Sequence, residues 1–225
     1  CRDRAKNIIS LGTAGFIMQL TNSLVTICCN NVLSVTGGDL YISVMTIVSS
    51  IRQIIDTPIH AITEGSSPVI SYNYGARRPK RVFQSWLTMS VMAILYTLLA
   101  WGVILFAPRF LIGIFSSDQA LITDAIPALK LYFGAFVFQA LQYVGQTMFK
   151  SLGKKKFAIF FSLLRKVIIV VPLTYIFPYM FHMGSDGVFL AEPVSNVLGG
   201  SACFIVMLCT VMPELKRIAK ENSSH

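Results

Sequence analysis

Glu192 is a carboxylate set inside a long apolar run, and Pro193 follows it directly. Proline has no amide hydrogen, so it frees one carbonyl in the previous helical turn. A carboxylate beside a broken helix can hold a proton, a sodium ion or an organic cation. It can equally be solvated near the outer end of the run, or paired there with Lys130. A second group of ionisable residues, Arg52, Asp56, His60 and Glu64, is spaced four apart, with Pro58 among them. That spacing puts all four on one helix face. Neighbouring opposite charges neutralise each other and make burial tolerable. Because a histidine side chain titrates near neutral pH, the stripe could relay protons. The alternative is a structural ladder of ion pairs.

Uncharged polar residues form further stripes. Gln19, Asn22, Thr26 and Asn30 share one face of a helix, with Gly12 and Gly15 near the same side; Gln139, Gln142 and Gln146 repeat the pattern, and Glu192, Asn196 and Gly199 do so again. Three striped helices can line one wet cavity. They can also bond to one another across a seam of small residues.

The elements that carry these stripes must be membrane helices. Charged residues make up 13% of the chain and apolar residues 54%, and the mean hydropathy is +0.66. A soluble chain carries about twice that share of charge. Six apolar runs, roughly 7–30, 40–63, 82–106, 121–149, 157–181 and 187–211, are each long enough to cross about 30 Å of hydrocarbon as helix. The fourth exceeds what a crossing needs, so it tilts or protrudes. Pro172 and Pro178 should kink the fifth, where Arg165 and Lys166 are expected to snorkel to the headgroups or cap a neighbouring helix. The expected fold class is therefore all-α: a polytopic membrane protein with residues 1–225 forming a single six-helix lobe.

The formal net charge of +9 is not spread evenly. Lys and Arg cluster at the N-terminus (Arg2, Arg4, Lys6), in the second loop (Arg77, Arg78, Lys80, Arg81), in the fourth (Lys150, Lys154, Lys155, Lys156) and at the C-terminus (Lys216, Arg217, Lys220). The odd-numbered loops carry Arg109 alone. By the positive-inside rule both termini and the even loops are cytoplasmic. These clusters read as topology signals and contacts to anionic membrane lipid, with no aromatic–basic interleaving of the kind that marks a nucleic-acid surface. Cys1, Cys28, Cys29, Cys203 and Cys209 suit small core residues, since an odd number with four in apolar spans argues against a disulfide framework. No Ser/His/Asp set, metal-ligand cluster or phosphate loop is present, so neither an enzyme nor a metal or cofactor site is expected.

The most specific stretch runs Glu64-Gly-Ser-Ser-Pro-Val-Ile-Ser-Tyr-Asn-Tyr-Gly-Ala-Arg-Arg-Pro-Lys-Arg-Val82. It reads as a helix end, an extended segment led by Pro68, and a turn at Asn73-Tyr74-Gly75 in which Gly75 can take positive φ at no steric cost. This stretch resembles the loop between the eighth and ninth helices of MATE (multidrug and toxic compound extrusion) transporters. There, a Gly-x-x-Pro segment leading to Asn-Tyr-Gly-Ala is typical of the Gram-positive-like branch. Gln19 lies where that family often has Gln or Glu in its seventh helix. Lys150-Ser-Leu-Gly-Lys resembles the basic turn after the tenth. Arg165, Pro172, Gly187-Val188 and Ala191-x-Pro193 resemble the eleventh and twelfth.

The resemblance implies one lobe of a twelve-helix, two-lobe carrier, with this chain as the C-terminal half and the N-terminal lobe as its missing partner. It implies a plasma (inner) membrane protein that exports organic cations or drugs by antiport with protons or sodium. The cavity residues would be Gln19, Asn22, Gln139, Gln142, Gln146 and Asn196, with Glu192 as the candidate ion-coupling site. Pro68, Asn73 and Gly75 would shape a structural loop. Two departures leave the coupling ion open. Some members carry a carboxylate in the seventh helix, where this chain has Gln19. Asp124 lies near the outer end of the tenth helix rather than mid-membrane. Two other readings stand beside this one. A lipid-linked oligosaccharide flippase of the same superfamily should line its cavity with several Arg or Lys. A non-transporting orphan lobe would have to cover its polar stripes by pairing.

Overall fold

The structure is a computed structural model. It describes the backbone of residues 2–223, and the side chains of Phe16 and residues 19–222. Cys1 and His225 lie outside the described residues, as do the side chains of Arg2, Arg4 and Lys6 and the positions of Gly12 and Gly15 on the first polar face. Every described element is helical: α1 (Arg2–Thr36), α2 (Gly38–Gly75), α3 (Pro79–Phe106), α4 (Pro108–Gly113), α5 (Gln119–Tyr132), α6 (Phe136–Ser151), α7 (Lys155–Tyr179) and α8 (Gly184–Asn222). Among the described residues α3, α7 and α8 are long and apolar enough to cross a membrane, and α5 with α6 passes as one bent span. The long helices α1 and α2 have 35 and 38 residues and carry polar stripes.

Turn chemistry sets most boundaries. Gly38 takes φ +68° between α1 and α2, where Gly37 has no room for a side chain: a Cβ there would lie 2.3 Å from Ser185 Oγ. Pro108 opens α4 at a position whose N–H a helix leaves unpaired. Asp118 caps α5 by accepting from the Ala120 amide. The run read as one long fourth span is broken. It bends by 50° between α5 and α6, where Gly134 sits against the Leu131 carbonyl.

Two apolar clusters hold the bundle. One gathers Leu33, Val48, Ile51, Leu129, Phe133, Phe136 and Phe189; the other gathers Ile70, Trp86, Met89, Val144, Phe149, Phe161 and Met207. On α6 and α8 the residues between the clusters are polar: Gln139 on the first, and Glu192, Ser195 and Asn196 on the second. Small residues let α6 and α8 touch. A Cβ on Gly200 would lie 2.3 Å from the Phe138 carbonyl oxygen, and one on Gly145 would lie 3.0 Å from Cys203 Sγ. Of the cysteines, Cys29 and Cys203 are buried as expected, whereas Cys209 is exposed; all four described are free thiols.

The stretch read as a loop at Pro68, Asn73 and Gly75 is instead the last two turns of α2, and the positive φ falls on Arg77 (φ 51°). Packing overrides the turn residues. Ile70 is fully buried in the second cluster. Ser67 and Ser71 bond to the Ser151 hydroxyl and carbonyl at 2.8 and 3.0 Å, and Asn73 donates back to the Val69 carbonyl at 2.8 Å. Pro68 is exposed, so the carbonyl it leaves unpaired can face solvent.

The end of α2 thereby meets the α6–α7 turn and the end of α8. Glu214 accepts from Lys154 and from the Tyr74 hydroxyl, Arg77 faces Glu221 at 3.6 Å, and Asn222 donates to the Arg77 carbonyl. The basic loops and C-terminal helix thus gather at one end of the bundle, while the Gly37 and Ser185 turns meet elsewhere.

Candidate functional site: a charged cavity wall

The polar stripes of α1, α2 and α6, with Arg165 and Lys166 of α7 and Glu192 of α8, converge on two adjoining depressions of about 540 and 270 Å³ that share Gln19, Asn22, His60, Tyr143 and Lys166. The larger is lined also by Arg52, Asp56 and Glu192, and the smaller by Gln142, Gln146, Glu64, Lys150 and Arg165. Gln19, Asn22, Gln142 and Gln146 thus line the cavity. Gln139 and Asn196 do not. Both are fully buried behind the wall, where Gln139 donates to the Asp56 carboxylate at 3.1 and 3.2 Å and Asn196 accepts from Arg165.

The four-residue charge stripe of α2 does not form a ladder along its own helix. Arg52 bonds Asp56 at 3.3 Å, but its other partners are Glu192 of α8 and the Tyr132 hydroxyl of α5, at 2.5 Å for the latter. Asp56 also accepts from the Tyr143 hydroxyl at 3.1 Å, and the Tyr143 ring packs 4.6 Å from that of His60. Glu64 pairs outward with Lys150 at 2.8 Å. Each charge is answered by a neighbouring helix, which locks α2 to α5, α6 and α8.

Glu192 is clamped between two arginines. Arg165 approaches its Oε1 at 2.8 Å, and Arg52 pairs with the same oxygen. The pairing with Lys130 does not occur, because Lys130 is exposed on a separate apolar groove beside Pro193. Arg165 and Lys166 do not snorkel; Arg165 is 2% exposed, and Lys166 donates to Asn22 across the cavity.

Local backbone explains how two consecutive cations both point inward. Leu164–Val170 is π-helical, and Asn196–Gly200 of α8 packs against it as a second π-helical turn. The wider turn of a π-helix shifts the facing of successive residues, and such insertions recur at functional sites. The first π segment is followed by Pro172, whose missing N–H leaves the carbonyl one turn back, inside the segment, without its ordinary partner. Gly199 makes room for Arg165, since a Cβ there would lie 2.9 Å from its stem carbons. Spacing alone does not bring Arg165 and Lys166 to one wall, because ideal helix geometry points consecutive residues about 100° apart.

A helical lobe whose polar wall is set among membrane-crossing helices is the build of a membrane carrier half. The MatE family model matches residues 15–176, and the chain belongs to that family. Its members are transporters, not enzymes. The multidrug export protein MepA of Staphylococcus aureus is 22% identical over 208 residues, covering 92% of this chain and 45% of MepA. An outward-facing multidrug resistance MATE family transporter of the MOP superfamily superposes with a TM-score of 0.83 at 22% identity, over 98% of this chain and 48% of that one. A MOP superfamily transporter from Pyrococcus furiosus, described as having a binding pocket of reverse polarity that suggests a different function, superposes with a TM-score of 0.84 at 22% identity, over 97% and 48%. The chain spans about half the length of the relatives it matches, as expected of one lobe.

Proposed function

We propose that this lobe forms one wall of the transport cavity in a secondary carrier that exports amphipathic drug-like compounds across the plasma membrane, driven by protons or sodium. A second lobe, preceding this one, covers the polar wall, and the two rock about it in alternating access. The basic loops and both termini face the cytoplasm. The observation that carries the reading is the convergence of Gln19, Asn22, Gln142 and Gln146 with ionisable residues on one face of an otherwise apolar bundle. A polar face of that size is untenable against lipid.

The charge inventory gives no particular support to organic cations as cargo. The cavity cations Arg52, Lys150, Arg165 and Lys166 outnumber the carboxylates Asp56, Glu64 and Glu192 by one. Those four basic side chains on the wall favour, as a second reading, a flippase for an anionic lipid headgroup. Coupling through Glu192 would require it to leave two arginines.

The test is dye accumulation in pump-deficient cells making the complete protein, with a cationic, a neutral and an anionic dye, with and without an uncoupler. Lowered accumulation of any dye, restored by uncoupling, is expected. Accumulation equal to that of empty cells for all three, with the protein confirmed in the membrane, overturns export and leaves the flippase and non-transporting readings.

A further inference from the structure

The charges on the cavity wall are not all balanced. Asp56 is paired with Arg52, Glu192 with Arg52 and Arg165, and Glu64 with Lys150. Among the described residues Lys166 has no carboxylate partner; its hydrogen bond goes to the amide oxygen of Asn22, a neutral group. Beside it, Arg165 is 2% exposed and spends one terminal nitrogen on Glu192 and Asn196, while its Nε has no hydrogen-bond partner within the protein. Lys166, Arg165 and Gln142 all line the same 270 Å³ depression.

A buried N–H on a cation without an acceptor costs more than a neutral one, and a buried charge needs a counter-charge. The missing complement is an anion that also has an apolar body, because a small hydrated ion would gain little by leaving water for this site. We infer that the Lys166–Arg165 corner is a binding subsite for the acidic headgroup (carboxylate, phosphate or sulfonate) of an amphipathic anion. Lys166 Nζ supplies both the charge and the donor, while Arg165, paired with Glu192, lines the same depression and adds its positive charge to the corner. Both residues belong to the π-helical turn Leu164–Val170. The inference rests on the reading of this wall as a ligand cavity.

The experiment uses the complete protein in nanodiscs of neutral phosphatidylcholine, titrated with dansyl-undecanoate and with its uncharged amide. The carboxylate should bind about tenfold tighter than the amide, as a charge-assisted hydrogen bond allows. Lys166→Gln should bring the two probes to equal affinity, Lys166→Arg should keep the preference, and so should Lys130→Gln, which removes an exposed cation outside both depressions. Amide binding at wild-type affinity reports that each variant is folded. Equal binding of acid and amide by the wild type, or a preference that survives Lys166→Gln, overturns the subsite. Phosphatidylglycerol in the disc displacing the probe would assign a lipid headgroup as the anion, and no displacement would assign a soluble amphiphile. If dye export is intact while the preference is absent, only the subsite fails; if neither probe binds and no dye is exported, the cavity reading fails with it.

Discussion

Arg165 and Glu192 meet between the two apolar clusters with side chains 2% and 8% exposed, whereas at the rim and the basic end Lys150 and Glu64 are 39% and 52% exposed and Arg77 and Glu221 71% and 47%. Arg165–Glu192 and Lys150–Glu64 are both at 2.8 Å, yet the physics differs. At the exposed end, water screens the charges and pairing contributes between nothing and about 1 kcal/mol. In the interior, desolvation makes the isolated charge the costly state, so the carboxylate is required by the arginines as much as it attracts them. The interior cluster therefore fixes the geometry of the wall. The exposed pairs tie helix ends that packing already holds.

Removing Glu192 should break that comparison most severely. Glu192→Gln leaves Arg165 without its carboxylate and Arg52 with Asp56 alone, and about 3–5 kcal/mol of stability should be lost. The midpoint of thermal unfolding of the complete protein in detergent checks this. A variant as stable as the wild type, but with export no longer sensitive to an uncoupler, would instead return Glu192 to an ion-coupling role.

This cluster also marks where sequence stopped being informative. The polar faces of α1, α2 and α6 were legible from spacing alone, and Gln142 and Gln146 lie where their period places them. Gln139 shares that period, but it is fully buried and spends its amide on the Asp56 carboxylate of α2. Arg165 and Lys166 were legible as residues and not as a pair, because a π-helical turn leaves no composition signal beyond its neighbouring proline. The Asn73-Tyr74-Gly75 triplet has the composition of a turn and remains helix, because Ile70 and the Ser151 contacts outweigh local preference. The bundle's fold was thus readable from periodicity, while its site depends on tertiary contacts between helices far apart in sequence.

An intermediate case lies at the basic end, where Glu214 is partly buried beneath Tyr74 and Lys154. Burial alone would raise the Glu214 carboxyl, but the hydrogen bonds from Lys154 and Tyr74 outweigh it and hold the carboxyl below its ordinary value. The bond to Glu214, with burial, pushes the Tyr74 hydroxyl up to about 12. A depressed carboxyl stabilises the fold above its unfolded pKa, and that contribution is lost as pH falls through the folded value. Tyr74→Phe should cost about 1 kcal/mol at neutral pH, the usual net worth of one hydrogen bond. The cost should shrink below the ordinary carboxylate range. Unfolding midpoints of wild type and variant across pH 3 to 7 check both; a difference independent of pH would mean that packing of the ring, rather than its hydroxyl, ties α2 to α8.

Glu64→Gln should have the smallest effect. It breaks the Lys150 pair at the mouth of the smaller depression, where both partners reach solvent. A stability change below about 0.5 kcal/mol is expected, vanishing in high salt. The variant also frees Lys150 and so adds a second unpaired cation to the same wall. If the comparison between interior and rim holds, unfolding stays put while the preference for dansyl-undecanoate over its amide rises by at most a small factor, because a hydrated rim charge competes weakly with Lys166. A large gain in that preference would place the anion at the mouth with Lys150, and the interior cations would then be structural.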